Sequence, residues 1–209
     1  MSRRTFHRAG EAERRRDLIA ATLDVIAEQG LRAATVRQIS ARAGVTGGLI
    51  RHYFTSKDQM VQAAYRELMQ DMLKSVEEAA ETGANAKERL RNFIAGNLSQ
   101  SVTNARTISL WAAFIGHIHV EADFASIHRE YYLAFLETLQ GVIRAFLEST
   151  GQVIDPAVLR AKAIAINGLI DGLWLESSVA QDLFAETETA DIALRSAEDL
   201  LGLPKGSLN

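Results

Sequence analysis

Between Ser56 and Gly83 the chain offers no glycine or proline, and a backbone that long without a breaker rules out folds built on frequent turns. A β-sandwich or barrel needs turn signals roughly every ten residues. Here proline occurs twice in 209 residues, aromatic residues make up 7%, and other long stretches free of turn residues follow. The expected fold is therefore all-α, with about nine helices. A hydrophobic content of 47% is enough to give them a core.

The punctuation places the helices. From Glu13 the apolar residues Ile19, Leu23 and Ile26 recur at helical spacing, and Gly30 stops the run. Thr35-Val36-Arg37-Gln38 has the form of a capping box, in which the hydroxyl accepts the amide three residues on and the glutamine reaches back. It opens a helix from Val36 to Ala43 with Gly44 as its left-handed exit. Thr46 caps a third, short helix from Gly47 to Phe54, and Ser56-Lys57-Asp58-Gln59 opens a fourth. Further helices are expected over 85–101, 104–118, 123–149, 156–183 and 188–201. Within 123–149, Tyr132, Leu136, Leu139, Ile143 and Phe146 mark one apolar stripe. Asp155-Pro156 pairs a cap with a proline at the first helical position, where its missing N–H costs nothing.

The formal net charge of -3 conceals a division. Residues 1–57 hold eleven Lys/Arg against five Asp/Glu, and residues 58–209 hold twelve against twenty-one. Such segregation suggests a phosphate-binding end and an assembly or sensing end: a DNA-binding domain at 1–57 and a helical ligand-binding and dimerisation domain at 58–209. The absence of cysteine removes disulfides and thiolate chemistry and suits a reducing compartment. No apolar run reaches the length of a membrane span, and the start MSRRTFHRAGEAERRR has no apolar signal core. A cytoplasmic protein without a membrane partner is expected.

The second helix, the turn Ala43-Gly44-Val45-Thr46 and the third helix together read as a helix-turn-helix. Two short helices joined by a few residues around a left-handed glycine cross steeply, so the second can enter a major groove. Gly47 and Gly48 would let its backbone approach a duplex, and Arg51, His52 and Tyr53 supply three donors within one turn.

These segments, with Thr35-Val36-Arg37-Gln38-Ile39 and Ser56-Lys57-Asp58-Gln59, resemble the DNA-binding domain of the tetracycline-repressor (TetR) family over residues 14–62. GVTGGLIRHYF, Trp111-Ala112-Ala113-Phe114 and Leu169-Ile170-Asp171-Gly172-Leu173-Trp174-Leu175 are similar to the BetI subfamily, which senses choline and controls glycine betaine synthesis. The segment from Gly116 to Tyr132 departs from that subfamily's pattern, so a different small hydrophobic or cationic ligand is the alternative. The resemblance implies a ligand-responsive repressor that binds double-stranded palindromic operator DNA as a homodimer. It implies that Thr35, Arg37, Thr46, Gly47, Gly48, Arg51 and His52 face base edges or neighbouring phosphates, and that Tyr53 and Lys57 bind phosphate. Arginine at position 37 has the fork that reads guanine. Arg3, Arg4 and Arg8, ahead of the first helix, would form a basic arm.

In the acidic part, Trp111, Phe114, Tyr131, Tyr132 and Trp174 are the aromatics that could surround a quaternary ammonium such as choline. Asp171 is the only acid between Ala163 and Leu175. Aromatics at helical spacing also fill cores, and Asp171 could instead accept hydrogen bonds across a subunit interface. Gly168 and Gly172, one turn apart, suit a close helix-helix dimer contact, and two copies would read half-sites about 34 Å apart. His117, His119, Glu121, Asp123 and His128 form the one metal-ligand-type cluster; polar residues at a helix junction explain them more simply, and neither a metal nor a cofactor is expected. With no G-x-S-x-G, phosphate loop, H-E-x-x-H or cysteine, enzyme activity is not expected. An all-α metal hydrolase on His117, His119 and Asp123 is the remaining competitor.

Overall fold

The computed structural model describes residues 3–99, 102–179, 181–184 and 188–209, with side chains from Gly10 onward except that of Gln181. Among the described residues there are nine α-helices and no strand: α1 (Arg3–Gln29), α2 (Val36–Ala43), α3 (Gly47–Tyr53), α4 (Lys57–Glu81), α5 (Ala86–Asn97), α6 (Ala105–Ile115), α7 (Ala122–Ser149), α8 (Pro156–Val179) and α9 (Glu188–Leu201). Short 3-10 turns occupy Leu31–Ala33 and Gln181–Leu183. The first helix begins at Arg3, ten residues before the expected start, so the backbone of Arg3, Arg4 and Arg8 belongs to α1 rather than to an arm ahead of it. Their side chains lie outside the described residues.

Local chemistry sets the helix ends. Thr35, Thr46 and Asn85 each accept the amide three residues on, and Asp155 accepts those of Ala157 and Val158. These bonds satisfy donors that a helix start otherwise leaves open. The α4–α5 turn depends on Gly83, where a Cβ would stand 2.5 Å from the Arg89 backbone nitrogen.

The chain packs as two compact units. One comprises the residues up to Gln70 together with Arg106–Arg129, and the other Asp71–Ala105 with Glu130–Asn209. Packing thus extends the amino-terminal unit past the boundary at residue 57 that charge suggests, and adds α6 and the start of α7. The reason is contact between residues distant in sequence: Arg106 pairs with Asp24 at 2.7 Å, and the Ser109 hydroxyl donates to the Ala27 carbonyl at 2.8 Å.

The core of this unit is the stripe Leu18, Ile19, Leu23 and Ile26 of α1, with Ile39, Ile50, Phe54, Met60, Tyr65, Leu110, Phe114 and Phe124, all at most 6% exposed. In the second unit α8 and α9 pack together, as do α5 and α9. Its core takes Phe93, Leu136, Leu139, Ile143, Phe146, Ile166, Ile170, Trp174, Leu194 and Leu201. Tyr132, the remaining member of the expected α7 stripe, is half-buried.

Candidate functional site

The turn between α2 and α3 is built by Gly44, at φ 66° and ψ 30°, and by the Val45 amide, which donates to the Ser40 carbonyl at 3.0 Å. A left-handed residue there costs glycine little. Ile50 and Phe54 then anchor α3 by burial, and the Arg15 guanidinium lies 5.2 Å from the Phe54 ring centroid. With that side fixed, Thr46, Gly48, Arg51 and His52 are exposed on the other, Tyr53 is half-buried, and the His52 and Tyr53 rings meet edge-on at 5.1 Å. Gly47 is half-buried against α2; a Cβ there would meet Val36 Cγ1 at 3.5 Å, an ordinary contact, so packing alone does not demand glycine. At Gly48 a Cβ would meet only Thr46 Oγ1, at 3.7 Å.

Thr35 and Arg37 are exposed at the start of α2, and Lys57 is exposed at the start of α4. Among the described residues Arg37, Arg51 and Lys57 carry no ion pair. Arg42 differs: its guanidinium forks onto both carboxylate oxygens of Glu28, with Asp24 at 4.0 Å. Hydrogen bonding to Arg42 holds the Glu28 carboxyl below its usual range and raises Arg42 in turn. Of these four cations, Arg42 is committed to the fold, and Arg37, Arg51 and Lys57 are open to an anion. Asp58 follows Lys57 in the chain and is exposed in the first turn of α4; it favours the helix start but opposes a phosphate.

The two capping boxes close differently from the expected reciprocal pattern. Gln38 does not reach back to the Thr35 amide, because that amide already donates to the Ala33 carbonyl at 2.7 Å. Instead Gln38 Oε1 accepts the Thr35 hydroxyl, and Nε2 donates to Gln29 Oε1. At α4, Ser56 Oγ accepts the Gln59 amide while Gln59 Oε1 accepts from the Thr55 amide and hydroxyl, one residue earlier than expected.

The aromatic residues singled out from the sequence divide between the units. Trp111 and Phe114 belong to the first; Tyr131, Tyr132, Asp171 and Trp174 belong to the second. Phe114 is fully buried and stacks on Tyr65 at 4.6 Å, with Phe124 at 5.9 Å, so its faces serve the core. Trp111, Tyr131 and Tyr132 are half-buried and Trp174 is 5% exposed. Asp171 is exposed, yet the packed helix around it raises its carboxyl above the usual range, an effect that the hydrogen bond from Asn167 at 3.1 Å opposes.

Gly168 and Gly172 lie in a row that sequence reading had not extended. Val158, Ala161, Ala165, Gly168, Gly172, Leu175 and Val179 alternate in steps of three and four along α8, and all are exposed. Nothing stands within 4 Å of a Cβ built on either glycine. Steps of three and four keep one helix face aligned and form an apolar seam of coiled-coil type.

Four of the five metal-ligand-type residues are spent in three separate pairs, and His119 is exposed. His117 Nδ1 meets Glu121 Oε1 at 2.9 Å, Gln62 donates to Asp123 at 2.8 Å, and the Tyr65 hydroxyl meets His128 Nδ1 at 2.8 Å. Among the described residues no three such side chains converge on a point that would hold an ion. No described helix is long and apolar enough to cross a membrane.

Residues 18–64 match the model of bacterial regulatory proteins of the tetR family, and residues 86–202 match that of the BetI-type transcriptional repressor C-terminal domain. The HTH-type transcriptional regulator BetI of Pectobacterium carotovorum is 33% identical over 191 residues, spanning 90% of this chain and 94% of its own. A transcriptional regulator of Pseudomonas aeruginosa PAO1, solved by crystallography, superposes with a TM-score of 0.82 at 29% identity over 92% of both chains. A regulator from Saccharomonospora viridis, crystallised in complex with choline, shares the fold at a TM-score of 0.70 and 19% identity, covering 91% of this chain and 96% of that one.

Proposed function

The chain belongs to the TetR family of bacterial DNA-binding transcriptional repressors, with a BetI-type C-terminal domain, and we propose that it represses a promoter through a palindromic operator until a cationic effector releases it. Its relatives are transcriptional regulators, not enzymes, and regulators of this family act as dimers on operator DNA under the control of small molecules. The observation that carries the reading is the split on α3: Ile50 and Phe54 are buried while Arg51 and His52 are exposed, as are Arg37 and Lys57, which carry no ion pair among the described residues.

In this reading Arg37 and Arg51 donate to base edges, the Gly47–Gly48 backbone approaches the groove, and Thr35, Thr46, His52, Tyr53 and Lys57 hold neighbouring phosphates. Two copies joined along the α8 seam at Gly168 and Gly172 present two α3 helices to successive major grooves. The protein works in the cytoplasm, where its operator is. The effector is choline or another quaternary ammonium compound, bound within the second unit by ring faces among Tyr131, Tyr132 and Trp174. The name BetI among the relatives and the choline in the Saccharomonospora viridis regulator support that choice, and control of glycine betaine synthesis follows from it. The effector must favour a second arrangement of the dimer by several kcal/mol to empty the operator.

Fluorescence anisotropy with a palindromic operator selected from random duplexes tests the DNA half. Sequence-specific binding that weakens steeply with salt is expected, and binding indifferent to both would end the reading. Calorimetry with choline, betaine aldehyde and glycine betaine tests the other half. Three blank titrations would assign the site to a different small hydrophobic or cationic ligand.

A further inference from the structure

We propose that Glu77 of α4 is the carboxylate that receives the effector's positive charge, an inference that rests on the cationic-effector reading above. Glu77 is half-buried, and its one partner among the described side chains is neutral: the Thr138 hydroxyl of α7, donating to Oε1 at 3.0 Å. Thr138 divides that proton with its own helix, since its hydroxyl also lies 3.1 Å from the Ala134 carbonyl. The nearest cation along the helix, Lys74, goes to Glu78 at 3.5 Å. A carboxylate drawn partly out of water without a counter-ion is costly unless something cationic joins it.

The surroundings supply the rest of a cation site. Tyr131, Phe135, Thr138 and Val142 follow one another at i, i+4, i+7 and i+11 on α7, and all are half-buried. They share one helix face. The Phe135 ring is packed at 5.2 Å against Phe93 of α5. Phe135 lies one turn of α7 from the hydroxyl that holds Glu77, and Tyr131 one turn further, so a carboxylate and two ring-bearing positions border one strip of the unit. A quaternary ammonium offers no hydrogen-bond donor and is held by ring faces within about 6 Å together with an opposing charge.

Glu77 suits this task better than Asp171. Asp171 is exposed beside Gly168, Gly172 and Leu175, on the side of α8 that the seam assigns to a partner subunit. Glu77 also lies on α4, the helix that begins at Lys57.

The test is calorimetry of the full-length protein with choline and with its uncharged tert-butyl analogue, on the wild type, Glu77→Gln and Asp171→Asn. Loss of a charge-assisted contact is worth a factor of about ten to a hundred. Glu77→Gln, which keeps an acceptor for Thr138, is expected to lose that factor for choline, leave the analogue unchanged, and bind operator in the absence of effector like the wild type. Asp171→Asn is expected to stay within about threefold of the wild type for choline. Thr138→Val, which keeps the charge but frees the carboxylate, provides a second variant and is expected to weaken choline severalfold. Wild-type affinity in Glu77→Gln or Thr138→Val, or a loss confined to Asp171→Asn, overturns the assignment while the effector reading survives. Absence of choline binding by the wild type removes both.

Discussion

Tyr65 and His128 meet at 2.8 Å, hydroxyl to Nδ1, inside the amino-terminal unit. Tyr65 is 1% exposed and burial pushes its hydroxyl well above the usual tyrosine range, so it keeps its proton and donates to a neutral ring nitrogen. Burial also lowers the pKa of His128 below its ordinary value of 6.5. The unfolded chain therefore takes up the proton more readily than the folded one. This contribution to stability is fully present above about pH 6.5 and is lost as the pH falls through the folded value. Urea midpoints measured between about pH 7 and about pH 5 should fall in the wild type and fall less in His128→Gln. Equal slopes would show that His128 is not the group responsible.

Removal of a DNA contact should have a signature that depends on the role of the side chain. Arg37→Ala or Arg51→Ala should cost about 1–3 kcal/mol of binding on the selected operator and relax the preference at one base pair. Lys57→Ala should weaken all duplexes alike and reduce the salt slope by about one ion. Arg42→Ala, whose guanidinium is held by Glu28, should leave the salt slope unchanged. Anisotropy titrations over a range of salt separate these cases, and a reduced slope in Arg42→Ala would contradict the sorting of cations.

Gly44→Ala isolates the cost of the left-handed turn. At φ 66° an alanine is strained although no atom lies within 4 Å of its Cβ, so conformational energy is the whole effect. Destabilisation of about 1 kcal/mol is expected, with Gly44→Asn losing less because asparagine tolerates this region. Chemical denaturation measures both, and a neutral Gly44→Ala would mean that the turn relaxes.

What the sequence made legible is chemistry settled within a few residues. The caps at Thr35, Thr46, Ser56 and Asp155 fall where the hydroxyl-to-amide and carboxylate-to-amide spacing put them, and the exit at Gly44 is left-handed as its residue type suggests. What stayed hidden was decided by distant partners. Arg106 and Asp24 are 82 positions apart, and no local pattern announces that α6 packs with α1. The same holds for Phe114, whose ring suits a ligand cage as well as it suits a core until Tyr65 and Phe124 are seen against it. Glu77 escaped notice because an acid on a long polar helix looks solvated until Thr138 is found above it.

The exposed α8 seam predicts its own disruption. A charge at Leu175, which is 49% exposed in the single chain, would be buried between two copies without a partner. Leu175→Glu should shift the protein from dimer to monomer in light scattering and abolish tight operator binding, since one α3 then reads a half-site alone. A dimer that persists in Leu175→Glu would place the subunit contact elsewhere.

The end of the chain is held by a carboxylate that spacing alone did not reveal. Gly202, at φ 75°, terminates α9, and the Leu203 amide returns to the Glu198 carbonyl at 2.9 Å, a helix stop of Schellman type. Beyond it the Glu198 side chain, 1% exposed, accepts the Gly206 amide at 2.9 Å and the Leu208 amide at 2.7 Å, and Leu208 is fully buried. Glu198→Ala strands both amides away from a partner. A loss of about 1–3 kcal/mol follows if they stay buried, or a smaller loss if the tail detaches and takes up water. Hydrogen exchange decides between these, because detachment speeds exchange at Gly206 and Leu208 while leaving the α7 core slow. Unchanged protection at both amides in Glu198→Ala would mean that Leu208, not the carboxylate, fastens the tail.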